Sequence, residues 1–143
     1  MGKYRKWWHT TYDCRYHLVW ITKYRNPCLT FNIQKRLEII LKWICKTLFV
    51  NVISIWMEED HVHMYISIPL SKPIPKVVKL LKGWSSRQIR KEFWKELSEW
   101  YWKPVIWATW YFVATVWEIN HEIIKNYVEQ QWEEENKSEE IEL

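Results

Sequence analysis

Glycine is almost missing from this sequence: there are two in 143 residues, beside 13 tryptophans. Average usage would put glycine near ~7%. Tight turns ordinarily take glycine for its access to positive φ. Either other residues hold those positions and the indoles pack or stack, or a codon read here as tryptophan stands for glycine in the source organism. Long apolar runs are also missing. No stretch of about 18 apolar residues occurs, so no membrane-spanning helix is expected. The opening "MGKYRKWWHT" is basic and without the apolar core of a signal peptide. It also lacks the Ser or Thr that a myristoylation signal carries at its sixth position. The three cysteines, Cys14, Cys28 and Cys45, are odd in number and show no CxxC spacing. A disulfide framework or a zinc site is therefore not expected, and a reducing cytoplasm fits.

What is present is charge, unevenly spread. The net charge is +4, but residues 132–143 carry six Glu and one Lys. That acidic tail, 133–143, reads as disordered, and residues 1–132 read as one domain. Residues 72–95, "KPIPKVVKLLKGWSSRQIRKEFWK", hold eight Lys/Arg and one Glu. Such a face is either simply solvated or suited to a polyanion.

The periodicities give an order of elements. Residues 12–22, "YDCRYHLVWIT", are aromatic and β-branched and read as a strand. Thr30 or Asn32 is placed to cap a helix whose apolar residues recur at Ile33, Leu37, Ile40, Leu41, Ile44 and Leu48. Residues 50–58 and 61–68 read as two strands joined by a turn at Glu59-Asp60. A helix is expected over 74–82, interrupted at Gly83, with Ser85 or Ser86 capping a second basic helix to about 97. Residues 105–117 read as a long apolar strand, and Asn120 as the cap of a last helix over 121–135. The order β-α-β-β-α-β-α implies an α+β, ferredoxin-like (split βαβ) fold. It is a four-stranded antiparallel sheet with helices on one face and an extra C-terminal helix.

Within "EEDHVHMYIS" the period of two puts His61, His63, Tyr65 and Ser67 on one strand face and Val62, Met64, Ile66 and Ile68 on the other. The two imidazoles stand about 6.5 Å apart along the strand and suit one divalent cation, although two surface histidines would look the same. Tyr127 and Gln131, four apart, share a face of the last helix. Such a Tyr is either core or, aimed at the histidines, a phenol nucleophile. The Gln131 carbonyl is then a hard oxygen ligand for Mg²⁺ or Mn²⁺.

"YHLVWITKYRNP", "DHVHMYISIP", "LKGWSSRQIRKEF" and "YFVATV…IIKNYVEQQ", in this order, resemble the single-tyrosine HUH transposases of the insertion-sequence 200/605 family. The REP-associated tyrosine transposases are near relatives. The resemblance spans residues from about 9 to 132. It implies cleavage and rejoining of single-stranded DNA at hairpin-marked ends of a small mobile element, through a 5′-phosphotyrosine intermediate and a free 3′-OH. It implies a homodimer in which the tyrosine helix of one copy completes the histidine site of the other, working in a bacterial or archaeal cytoplasm at the nucleoid.

Carried over by residue, His61, His63 and Gln131 are metal ligands and Tyr127 the nucleophile. Lys79, Lys82, Ser85, Ser86, Arg87 and Arg90 contact the DNA hairpin, mostly through phosphates. Asp60 either orients a histidine or completes the turn, and His17 either supports the site or is a buried structural histidine. The tryptophans depart from the family pattern at Trp110 and Trp117, where small residues are common. Three alternatives remain open. One is a non-catalytic RNA- or single-strand-binding module that stacks bases on Tyr16, Trp20 and Tyr65. Another is a non-mobile relative that binds repeated hairpins, and the third a metal-dependent hydrolase using water.

Overall fold

The computed structural model describes residues 4–7, 9–115, 122, 125–131, 133 and 137. Two short strands, β1 (Arg5–Trp7) and β2 (Thr10–Tyr12), pair as a hairpin at the N-terminus. The sequence pattern gave no sign of it, because three-residue strands carry too little alternation. The main sheet holds β3 (Arg15–Ile21), β4 (Asn51–Met57), β5 (His61–Ser67) and β6 (Phe112–Ala114) in the order β4-β5-β3-β6, all antiparallel. Helix α1 (Phe31–Thr47) links β3 to β4, and α2 (Ile74–Glu92) with the short α3 (Trp94–Ser98) links β5 to β6. This is the α+β, ferredoxin-like plan.

The core follows from the two periods. Leu18 and Trp20 of β3 and Val62, Met64 and Ile66 of β5 point one way and are sealed from solvent. Ile33, Leu37, Leu41 and Ile44 of α1 and Val77, Val78, Leu81 and Ile89 of α2 close over them. Each such side chain contributes roughly 1.5–3 kcal/mol on burial. Thr30 starts α1 by accepting a hydrogen bond from the Ile33 amide, which supplies a partner for one of the unbonded first-turn N–H groups.

Two expectations are corrected. Gly83 does not divide a helix: α2 is continuous from Ile74 to Glu92. A mid-helix glycine costs only about 1 kcal/mol, less than the apolar stripe on either side returns. Ser85 is consequently no cap; its hydroxyl donates to the Lys82 carbonyl one turn back. Nor do residues 105–115 form one long strand. Among the described residues only Phe112–Ala114 pair with β3. Ile106, Trp107 and Ala108 are buried as an irregular plug whose backbone pairs only through an isolated bridge from Trp107 to Thr22. The expected cap Asn120, Trp117 and nearly all of the acidic tail lie outside the described residues.

The shortage of glycine leaves positive φ to Tyr24, Arg25 and Phe49; among the described residues no tryptophan takes it. Trp20 and Trp107 pack edge to face, with centroids 5.8 Å apart and planes at 84°. The Trp107 Nε1 donates to Ser85 Oγ at 3.1 Å. These two indoles are integral to the core. Trp20 is therefore no platform for bases.

Candidate active site

The sheet face away from α1 and α2 gathers the chemistry. In the β3–β5 register, His17 lies opposite Tyr65, Val19 opposite His63 and Ile21 opposite His61. The period of two thus puts three imidazoles on one face. Both histidines of β5 are half-buried. Trp56, opposite His63 on β4, closes their flank, with ring centroids 5.3 Å from His63 and 6.2 Å from His61.

Each histidine is held. His61 Nδ1 is 2.9 Å from Asp60 Oδ1, and the other oxygen of Asp60 accepts from Arg25 Nε at 2.9 Å. Burial alone would raise the Asp60 carboxyl pKa; the bonds from His61 and Arg25 outweigh it and leave the value below the ordinary carboxylate range. Asp60 therefore stays ionised and orients the ring, which leaves Nε2 of His61 as the atom aimed at a ligand. Nothing in "TKYRNP" signals Arg25, because that the turn Lys23–Arg25 folds back beside Asp60 is a matter of tertiary contact.

His63 Nε2 lies 3.1 Å from His17 Nδ1, and His17 stacks on Tyr65 with centroids 4.3 Å apart and planes within 5°. Burial lowers the His17 pKa, so the ring stays neutral near pH 7.

The helical segment 125–131 lies over this same face. Val128 is buried against Val19, Ile21 and Ala108, with Tyr127, Phe112 and Trp56 packed around them. The Tyr127 ring is 5.2 Å from that of Phe112, and Phe112 pairs with Val19, whose partner across the sheet is His63. Tyr127 is half-buried, its hydroxyl oxygen and the Oε1 of Gln131 both enclosed. Residues 127, 128 and 131 share one helical face, so Gln131 is buried on the sheet-facing side. The phenol sits in a small satellite cluster rather than in the main core.

The basic residues of α2 divide into two kinds. Lys79 and Arg87 are exposed, and Ser86 and Arg90 half-buried, with Arg90 Nε donating to Ser86 Oγ. Ser85 is fully buried, engaged by Lys82 and Trp107. Lys82 Nζ donates to the carbonyls of Ala108, Thr109 and Trp110 at 2.5, 3.1 and 3.2 Å. Ser85 and Lys82 are thus occupied inside the protein and hold the plug before β6.

Comparison with known proteins gives the family. The chain belongs to the IS200-like transposases: the family model described as "Transposase IS200 like" matches residues 10–131. The ISDra2 transposase TnpA of Deinococcus radiodurans is 34% identical over 124 residues, covering 87% of this chain and 88% of that protein. The transposase for insertion sequence element IS200 of Salmonella typhimurium is 29% identical over 143 residues, covering 100% of this chain and 93% of that protein. A crystal structure of a candidate transposase from Deinococcus radiodurans R1 superposes with a TM-score of 0.82 at 31% identity, over 89% of this chain and 97% of that one. A REP-associated tyrosine transposase bound to a REP hairpin shares the fold, with a TM-score of 0.55 at 12% identity, over 90% of this chain and 68% of that one. Among the described residues no helix is long and apolar enough to cross a membrane.

Proposed function

We propose that this transposase cuts and rejoins single-stranded DNA at hairpin-marked ends of a small insertion sequence, with Tyr127 as the nucleophile. The observation that carries the reading is the packing of Tyr127 at Phe112 and Val19, on the sheet face that bears His61 and His63. The Tyr127 oxygen attacks a backbone phosphorus and the bond to O3′ breaks. The phenol proton leaves, O3′ gains one, and the 5′ phosphate stays on the enzyme. Attack by another 3′-OH reverses the step, so the phosphodiester energy is kept for rejoining.

The donor set that fits is His61 and His63 with the amide oxygen of Gln131, which is enclosed on the sheet-facing side of its helix; nitrogen and oxygen together suit Mg²⁺ or Mn²⁺. Bound there, the cation would polarise a phosphate oxygen as a Lewis acid. Asp60 and His17 set the ring orientations, and Trp56 shields the histidine flank from water.

The test is incubation of the protein with end-labelled single-stranded hairpin DNA and Mg²⁺. A covalent adduct on the new 5′ end at the break is expected, absent in Tyr127→Phe and in His61→Ala. Cleavage that survives Tyr127→Phe would show water to be the nucleophile and sink the reading. The family resemblance further implies a homodimer with exchanged tyrosine helices. Mixing His61→Ala with Tyr127→Phe protein then regains cleavage, because one site of the mixed dimer is whole. No recovery would mean that each helix serves its own sheet.

A further inference from the structure

Tyr24 and Arg25 stand next to each other in the left-handed region, with φ 59° and 53°. Neither is glycine, so both carry backbone strain. Their surroundings hold them there. Lys23 N donates to the Ile106 carbonyl at 2.6 Å, and the Tyr101 hydroxyl donates to the Lys23 carbonyl at 2.7 Å. Thr22 N donates to the Asp60 carbonyl at 2.9 Å, and the Thr22 hydroxyl to the Asn26 carbonyl at 2.7 Å. Strain kept in place by so many bonds points to a side chain that has to be aimed. Here it is Arg25, whose Nε meets Asp60 beside His61.

Asp60 uses only part of that side chain. A guanidinium has five N–H donors and is always charged. Asp60 Oδ2 takes the one on Nε at 2.9 Å. Nη1 and Nη2 make no hydrogen bond or ion pair among the described residues, and the side chain is 33% exposed. A planar fork of donors suits a phosphate or a carboxylate, and a DNA strand carries a phosphate at every nucleotide. The order of the groups says which phosphate. The cation site lies on the Nε2 side of His61, whereas Asp60 is on the Nδ1 side with Arg25 beyond it. A ring and a carboxylate therefore stand between the guanidinium and the cation. The phosphate on the cation is the one that is cut, and Arg25 is placed for the next along the strand.

We infer that Arg25 binds the phosphate flanking the scissile one, and so fixes which bond of the single strand is presented to Tyr127. The inference rests on the strand-cleavage reading given above. It also gives the strained turn a use beyond holding Asp60.

The experiment starts from a single strand that the unaltered protein cleaves and captures from a randomised hairpin pool. Binding of that strand is then read with Tyr127→Phe protein, which forms no adduct, by fluorescence anisotropy at fixed Mg²⁺ and salt. Each phosphate from two before to two after the cut is replaced in turn by an uncharged methylphosphonate. Replacement at one flanking phosphate should weaken binding roughly tenfold, as loss of a charge-assisted contact would. With Arg25→Ala added, that replacement should cost nothing, while replacements elsewhere cost what they did before. The slope of log affinity against log salt should shrink by about 0.7, one phosphate contact on a single strand. Arg25→Gln keeps a donor for Asp60 without the charge. It should lose the same sensitivity, and it serves where Arg25→Ala does not fold. Sensitivity at both flanking phosphates that survives either substitution overturns the inference and leaves the strand-cleavage reading standing. So does a coupling of Arg25 to the scissile phosphate alone. Capture of no strand by the unaltered protein removes that reading itself, and the inference with it.

Discussion

His17 and His63 meet across the β3–β5 pair with their ring nitrogens 3.1 Å apart. One of the two must supply the proton and the other the lone pair. The contact holds the rotamer of His63, and where His63 Nε2 donates to His17 Nδ1 its own Nδ1 is the nitrogen left for a ligand. A metal-binding histidine held in this way is pre-oriented, and loss of such a partner costs about 10- to 100-fold in metal affinity. His17→Ala should therefore raise the Mg²⁺ concentration for half-maximal cleavage by roughly tenfold, with maximal cleavage at saturating metal largely kept. Cleavage abolished at every metal concentration would mean that His17 acts on the DNA directly.

Lys82 lies in the basic stretch that the sequence offers to DNA, yet its ammonium serves the carbonyls of residues 108–110. Lys82→Met would orphan those acceptors, at about 1–3 kcal/mol if none finds water. Thermal unfolding should shift down by several degrees. The slope of log affinity against log salt should stay unchanged, because no phosphate contact is lost. A slope smaller by about one, with unfolding unmoved, would identify Lys82 as a phosphate ligand.

The cysteines provide a chemical check on the core. Burial pushes the Cys45 thiol up to about 12 and raises that of Cys28. At pH 8 the thiolate fraction of Cys45 is on the order of 10⁻⁴. Brief alkylation at that pH should mark the half-buried Cys14 and spare Cys28 and Cys45 until denaturant is added, as peptide mass mapping would show. Early labelling of Cys45 would contradict the packing of α1 on the sheet.

The sequence made the histidine face legible because alternation is a property of the strand alone: Val62, Met64 and Ile66 inward force His61, His63 and Tyr65 outward. Likewise Tyr127, Val128 and Gln131 fall on one face by helical period. What escaped depends on pairings distant in the chain. That His17 reaches His63 is set by the β3–β5 register, which neither strand encodes by itself. Residues 105–111 look like strand because they are apolar, but Ile106 and Trp107 are apolar to plug the core. Their neighbours' carbonyls turn toward Lys82, 26 to 28 positions earlier in the chain. Gly83 looks like a break, but local propensity is small beside the burial of Val78, Leu81 and Ile89 on either side of it.

Scarcity of glycine has a stability consequence at Phe49. Helix α1 ends at Thr47 with Leu48 as its C-cap, and Phe49 follows with φ 57°, in the left-handed position where helices prefer glycine. A residue with a Cβ is strained there by about 1–2 kcal/mol. The ring returns little, being 72% exposed. Glycine would relieve the strain and give back part of it through the greater freedom of the unfolded chain. Phe49→Gly should therefore stabilise by about 0.5–1 kcal/mol, or roughly 2 °C in thermal unfolding. The Phe49 carbonyl that accepts from Arg5 is backbone and remains. Phe49→Ala separates the causes, because it removes the ring and keeps the Cβ. It should be no more stable than the parent. Equal gains from both variants would trace the effect to the exposed ring and not to the backbone.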